Sequence, residues 1–169
     1  MKFDIDRDYD LIFNLAMRLV DFKYEAVYVV YEDYHVRFFE GDRLHAIVPL
    51  YDKEHGYVRI IVHVHPLPRI APSINDLESL IKMSKHRLPS YLAIVYTDNE
   101  RIHILVIKAS KPINMSVREL LDLMEYEELF INSDIDVWLS LSSKQLHELN
   151  YKLRNYGVSF ERYNLLKYG

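Results

Sequence analysis

Apolar and polar positions follow two different periods along this chain, and the switches between them mark its elements. From Asp8 to Phe22 the residues Ile12, Leu15, Ala16, Leu19 and Val20 recur at i, i+3, i+4, i+7 and i+8, the spacing of one face of an α-helix. The next run, Glu25 to Tyr31, is almost continuously apolar and rich in β-branched and aromatic residues, which suits a strand buried on both faces. Tyr34 to Phe39 and Leu44 to Leu50 read as two more strands, joined by a turn at Glu40, Gly41 and Asp42. A second turn, Asp52 to Gly56, leads into another buried strand ending near Val64. Helical spacing returns over Ile74 to His86, where Lys82, Lys85, His86 and Arg87 gather at the negative pole of the helix. Tyr91 to Tyr96 and Arg101 to Ile107 form a hairpin around Thr97 to Glu100. Beyond Lys111 and Pro112 the pattern predicts a helix over Ser116 to Phe130, with Glu119, Asp122 and Glu125 on a solvated face. A strand over Asp136 to Leu141, a helix over Ser143 to Tyr156 stopped by Gly157, and a strand over Val158 to Tyr163 complete the chain.

This order predicts an α/β fold of the α+β type, a mixed β-sheet flanked by helices. Residues 1–111 read as its core, and 112–169 as a small C-terminal α/β appendage that docks on it. A chain of 169 residues suffices for one well-buried core. With half its residues hydrophobic and 27% charged, it has the composition of a soluble globular protein. The net charge of −4 offers no basic field, which argues against a nucleic-acid partner. The absence of Cys excludes disulfides, thiolate metal sites and a cysteine nucleophile. Residues Met1 to Asp8 are charged throughout and do not read as the apolar segment of a signal peptide. No apolar run reaches membrane-spanning length, so the expected compartment is the cytoplasm.

Candidate chemistry is concentrated between residues 63 and 76. His63 and His65 are separated by one residue; seven residues follow, then Ser73, two more residues, and Asp76. On a strand, residues i and i+2 share a face, so both imidazoles project together while Val64 points the other way. Pro66, Pro68 and Pro72 prevent the strand from continuing and stiffen the connection. Two neutral imidazoles and a carboxylate make a three-ligand set suited to catalytic zinc, which keeps a fourth position open. The bland alternative is a capping box, in which Ser73 and Asp76 serve only the start of a helix. The other histidines, His35, His45, His55, His86, His103 and His147, show no ligand spacing and read as structural or surface residues. No glycine-rich phosphate loop or nucleophile elbow is present.

The His-x-His, Ser and Asp pattern, with its flanking prolines, resembles the signature of the JAMM (MPN-plus) family of zinc metallo-isopeptidases. The order of elements from residue 8 to about 109 resembles that family's core as well. The resemblance implies zinc held by His63, His65 and Asp76. It implies a general base at Glu25, which begins the strand after the first helix, and a hydrogen bond from Ser73 to the developing oxyanion. Glu32, Glu40 and Glu54 are rival bases in poorer positions. The implied substrate is an isopeptide or peptide bond that follows the Gly-Gly tail of a ubiquitin-like modifier. The alternatives are hydrolysis of a small amide or a sulfur-carrier fusion, and a non-catalytic scaffold role. One departure is Val64, where the family usually has Ser, Thr or Asn. Because that side chain faces away from the ligands, metal binding is expected to survive.

Overall fold

The computed structural model describes residues 5–40, 49–65, 72–124 and 141–167. Its elements are α1 (Ile5–Leu19), β1 (Ala26–Tyr31), β2 (Val36–Glu40), β3 (Tyr51–Asp52), β4 (Gly56–Val64), α2 (Ile74–Ser84), β5 (Ser90–Thr97), β6 (Arg101–Ala109), α3 (Val117–Met124), α4 (Ser143–Leu153) and β7 (Val158–Leu166). The fold is mixed α/β. Strands run in the order β2-β1-β4-β5-β6-β7, with the short β3 paired to the start of β4. The β4–β5 pair is parallel and the other pairs described are antiparallel. A parallel pair needs a crossover, and the chain between β4 and β5 supplies it with α2.

Alternation along the strands divides the core into two layers. On one face Ile12, Leu15, Ala16 and Leu19 of α1 pack on Ala26, Val30, Ile60, Val62, Ala93, Val95 and Ile104. On the other, Leu77, Leu80 and Met83 of α2, Leu120 and Met124 of α3, and Leu149 and Leu153 of α4 pack on Val27, Val29, Ile61, Leu92, Ile94, Leu105 and Ile107. A bulge near the start of β4 turns Arg59 onto the α1 side, where its guanidinium donates to both oxygens of Asp8 at 3.1 and 2.7 Å. Both side chains are fully buried, so this ion pair fixes α1 on the sheet.

Element boundaries moved for identifiable reasons. The strand expected from Tyr34 begins at Val36, because Tyr34 lies at φ 67°, a left-handed conformation that a strand cannot contain. Its ring sits under the Arg7 and Arg59 guanidinium groups at 3.8 and 5.2 Å, and its hydroxyl donates to Asp8 at 3.0 Å. Most of the strand expected over Leu44 to Leu50 falls outside the described residues, as do nearly all of Asp136 to Leu141 and the later half of the helix expected over Ser116 to Phe130. Gly56 takes φ +82°, and a Cβ there would meet the Glu32 side chain at 2.2 Å.

The segment expected as an appendage is built into the sheet. β7 pairs with β6 from Ala109↔Val158 to Arg101↔Leu166, so a division at 111/112 runs between two hydrogen-bonded partners. Phe160 and Val158 lie in the same apolar layer as Val27 and Ile94. Among the described residues, no helix is long and apolar enough to cross a membrane.

Candidate metal centre

The end of β4 and the start of α2 meet at one edge of the α2-side layer. The His65 backbone N–H donates to the Val95 carbonyl at 2.9 Å, which carries the parallel pairing one residue past β4. His63 and His65 therefore continue the face of Ile61, whereas Val64 is buried among the α1-side residues, away from the imidazoles. Ser73 takes an extended conformation (φ −78°, ψ 167°) and caps α2. Its hydroxyl oxygen accepts from the Asp76 N–H at 3.1 Å, and its own N–H donates to Asp76 Oδ2 at 2.7 Å. The capping box is real, and it aims the Asp76 carboxylate back at the strand.

The two sequence readings thus describe one arrangement. Asp76 Oδ1 is 3.3 Å from His63 Nε2, and Asp76 Oδ2 is 3.7 Å from His65 Nε2. One donor atom from each of the three residues lies within 4.8 Å of the others, and the trio can hold a metal ion. A charge-assisted N–H···O bond spans about 2.7–2.9 Å. Ligand atoms on a tetrahedral zinc, with bonds of about 2.0–2.1 Å, sit about 3.3–3.4 Å apart. The His63 separation matches that edge length and the His65 separation, to the other carboxylate oxygen, is somewhat longer; two nitrogens with one carboxylate oxygen are donors that zinc takes. The donor set fits. His63 and Asp76 are buried, whereas the His65 side chain keeps 14% of its surface exposed.

Burial pushes the Asp76 carboxyl up, but the His63 and His65 imidazoles and the Ser73 N–H outweigh it and hold the group well below the usual carboxylate range. The group is ionised at neutral pH, as a metal ligand must be.

Glu25 directly precedes β1 and is half-buried. Antiparallel pairing of β1 with β4 runs as far as Val27 opposite His63, and Glu25 lies two residues before Val27, just ahead of the strand. The rival carboxylates are engaged or remote. Glu32 lies past the other end of β1 and pairs with Arg87, Glu40 accepts from the Tyr24 hydroxyl at 2.6 Å, and Glu54 sits in the exposed turn between β3 and β4. Ser73 is exposed beside Asp76.

Two histidine arrangements were not legible in the sequence. His35 and His55 stack at 3.7 Å with an interplanar angle of 6°, and His55 Nδ1 lies 2.7 Å from Asp33 Oδ2. His103 Nε2 lies 2.9 Å from Asp98 Oδ2. His35 and His55 lie in the segments just before β2 and β4, and Asp98 in the turn before β6, so both arrangements depend on how those turns are placed, which residue spacing does not encode. No protein-family model, curated protein or solved structure was found to match the chain.

Proposed function

We propose that this protein is a zinc-dependent hydrolase of isopeptide or peptide bonds that follow the tail of a ubiquitin-like modifier. The observation that carries the reading is the convergence of His63, His65 and Asp76 within 4.8 Å of one another, with Glu25 two residues before Val27, the strand partner of His63. Bound by that trio, zinc would supply Lewis acidity, bringing the pKa of water to about 7 and polarising a substrate carbonyl.

The chain's own residues would carry the protons and orient the groups. The Glu25 carboxylate takes a proton from the attacking water and passes it to the nitrogen of the departing amine. Ser73 donates its hydroxyl hydrogen to the carbonyl oxygen as negative charge gathers there, and that hydroxyl is held in place by the cap of α2. Asp76 is in turn held by the Ser73 N–H, so one short segment orients both a ligand and a hydrogen-bond donor. Glycines before the bond cut would let an extended tail approach closely, since they carry no side chain.

The test has two parts. Metal analysis of untagged protein should find about one zinc per chain. A ubiquitin-like protein fused through Gly-Gly should be cut when zinc is present and left intact after chelation. Chelator-insensitive cutting, or a protein that takes up no zinc on reconstitution, would defeat the proposal. Cutting confined to small amides would shift the substrate class and leave the chemistry in place.

A further inference from the structure

Leu149 and Leu153 of α4 enter the α2-side layer, and the opposite face of that helix carries a different chemistry. There His147, Tyr151 and Arg154 recur at i, i+4 and i+7, since Arg154 keeps a helical conformation just past the last turn. With Asn150 they rim a hollow of about 420 Å³ against the start of β7. This hollow is remote from the candidate metal ligands. Ser110, on its rim, follows Ala109, which pairs with Ser90 at the start of β5, whereas His65 bonds to Val95 near the far end of that strand. From Ser90 to Val95 an extended chain covers about 17 Å.

The polar groups around it sort by what they already bind. Arg154 and His147 are exposed, and among the described residues their side chains have neither an ion pair nor a hydrogen bond. The Ser159 hydroxyl, on β7, is likewise uncommitted among those residues. Asn150 uses its amide oxygen on the Phe160 N–H at 2.7 Å and one amide hydrogen on the Phe160 carbonyl at 2.8 Å, which leaves its second hydrogen. The one carboxylate on the wall, Glu161, has both oxygens taken, by the hydroxyls of Tyr9 and Tyr163. Every uncommitted polar side chain named here can therefore donate: a guanidinium, an imidazole, an amide and a hydroxyl. A cation past the last turn of α4 also suits the helix dipole, but that accounts for Arg154 and for none of the other donors.

We infer that this hollow binds a phosphate group, with Arg154 as its main donor and His147, Asn150 and Ser159 completing the set. A guanidinium fork matches two phosphate oxygens at once, and a phosphate only accepts once it is fully ionised. The group has two sources, free phosphate or the phosphoryl end of a small organic molecule. The volume lies in the range of about 300–1,000 Å³ that takes small organic ligands, and the Tyr151 ring, 71% exposed, offers such a molecule a flat surface. The inference is independent of the metal centre and of the hydrolase reading.

The full chain labelled with 15N is titrated with sodium phosphate and, separately, with adenosine monophosphate, while the Arg154 Nε–Hε resonance is followed. Sodium chloride at equal ionic strength is the control, because salt alone screens exposed charges. The resonance should move and saturate with phosphate and stay still with chloride. Tighter binding of the nucleotide than of phosphate identifies the organic source, and equal binding identifies free phosphate. In Arg154→Gln, half-saturation read from the Ser159 amide should rise about tenfold or more, a loss of about 1.4 kcal/mol. His147→Gln should weaken binding in the same direction. No saturation, an equal response to chloride, or unchanged binding by folded Arg154→Gln overturns the inference. Because the readout is local to α4 and β7, phosphate held elsewhere on the molecule does not register, and cleavage activity bears on neither result.

Discussion

Replacing Asp76 with Gln separates the two roles of its carboxylate. Gln is a favoured residue at the third position of a capping box, and its amide oxygen can accept the Ser73 N–H that Asp76 Oδ2 now takes at 2.7 Å. The cost to the helix cap should stay within about 1 kcal/mol. For a chain of this size that is a change of about 2–4 °C in melting temperature. The charge between His63 and His65 is removed, however, and the added methylene displaces the remaining oxygen from its 3.3 Å separation. A ligand that binds only the folded state stabilises it by about 2.7 kcal/mol at a hundred times its dissociation constant. Wild-type protein should therefore melt about 5–11 °C higher in such an excess of zinc. Asp76→Gln should melt near the metal-free wild type and respond to zinc by no more than about 1 °C. His65→Ala should also lose the response, although it does not touch the cap. The assay is a set of thermal melts with and without zinc, alongside elemental analysis. An Asp76→Gln protein that keeps the full zinc response would reduce Asp76 to a helix cap and end the metal-centre reading.

Glu25→Gln should keep zinc and fold but lose most hydrolysis, because an amide cannot accept the water's proton; turnover near wild type would return the assignment to the other carboxylates. Asp8→Ala leaves the Arg59 charge buried without its carboxylate and should cost about 3–5 kcal/mol in urea unfolding, whereas Asp8→Ala with Arg59→Met should recover much of that loss. For Asp98, the His103 bond and two backbone N–H groups put the folded value at about 2, below an unfolded value of about 3.9. Its contribution to stability is thus complete above about pH 4 and is lost as the pH falls through about 2. The stability gap between wild type and Asp98→Asn should close over that window, and a gap that stays constant from pH 6 to 2 would contradict the assignment.

The strong periodicities were legible, and the register was not. The helix expected over Asp8 to Phe22 runs Ile5–Leu19 and the strand expected over Glu25 to Tyr31 runs Ala26–Tyr31, because helical spacing and a continuous apolar run both report which side chains are buried and leave the ends open. The start of β2 was misjudged because apolar pattern says nothing about the left-handed backbone that Tyr34 adopts. Within the candidate site, the segment from His63 to Asp76 could be read directly, since strand and helix geometry fix where neighbouring residues point. Tyr96 and His103 escaped notice because pairing between strands sets Tyr96 beside His65 and His103 beside Tyr96, and spacing along one strand carries no information about pairing. The same limit hid the partner of β7: Val158 to Tyr163 looked like a strand, but nothing in it named β6.

The pairing of β7 with β6 has a consequence for how the chain is made. On the ribosome, β1, β4, α2, β5 and β6 emerge first, and every candidate metal ligand with them. Residues 110 to 157 must then be synthesised before the strand that covers β6 begins to appear. At about 5–20 residues per second that interval lasts several seconds. Throughout it, β6 presents open N–H and C=O groups beside the buried side chains of Ile104, Leu105, Val106 and Ile107, a template on which another nascent chain can pair. Translation speed across α3 and α4, and the presence of a chaperone at that moment, should therefore affect the yield of folded protein.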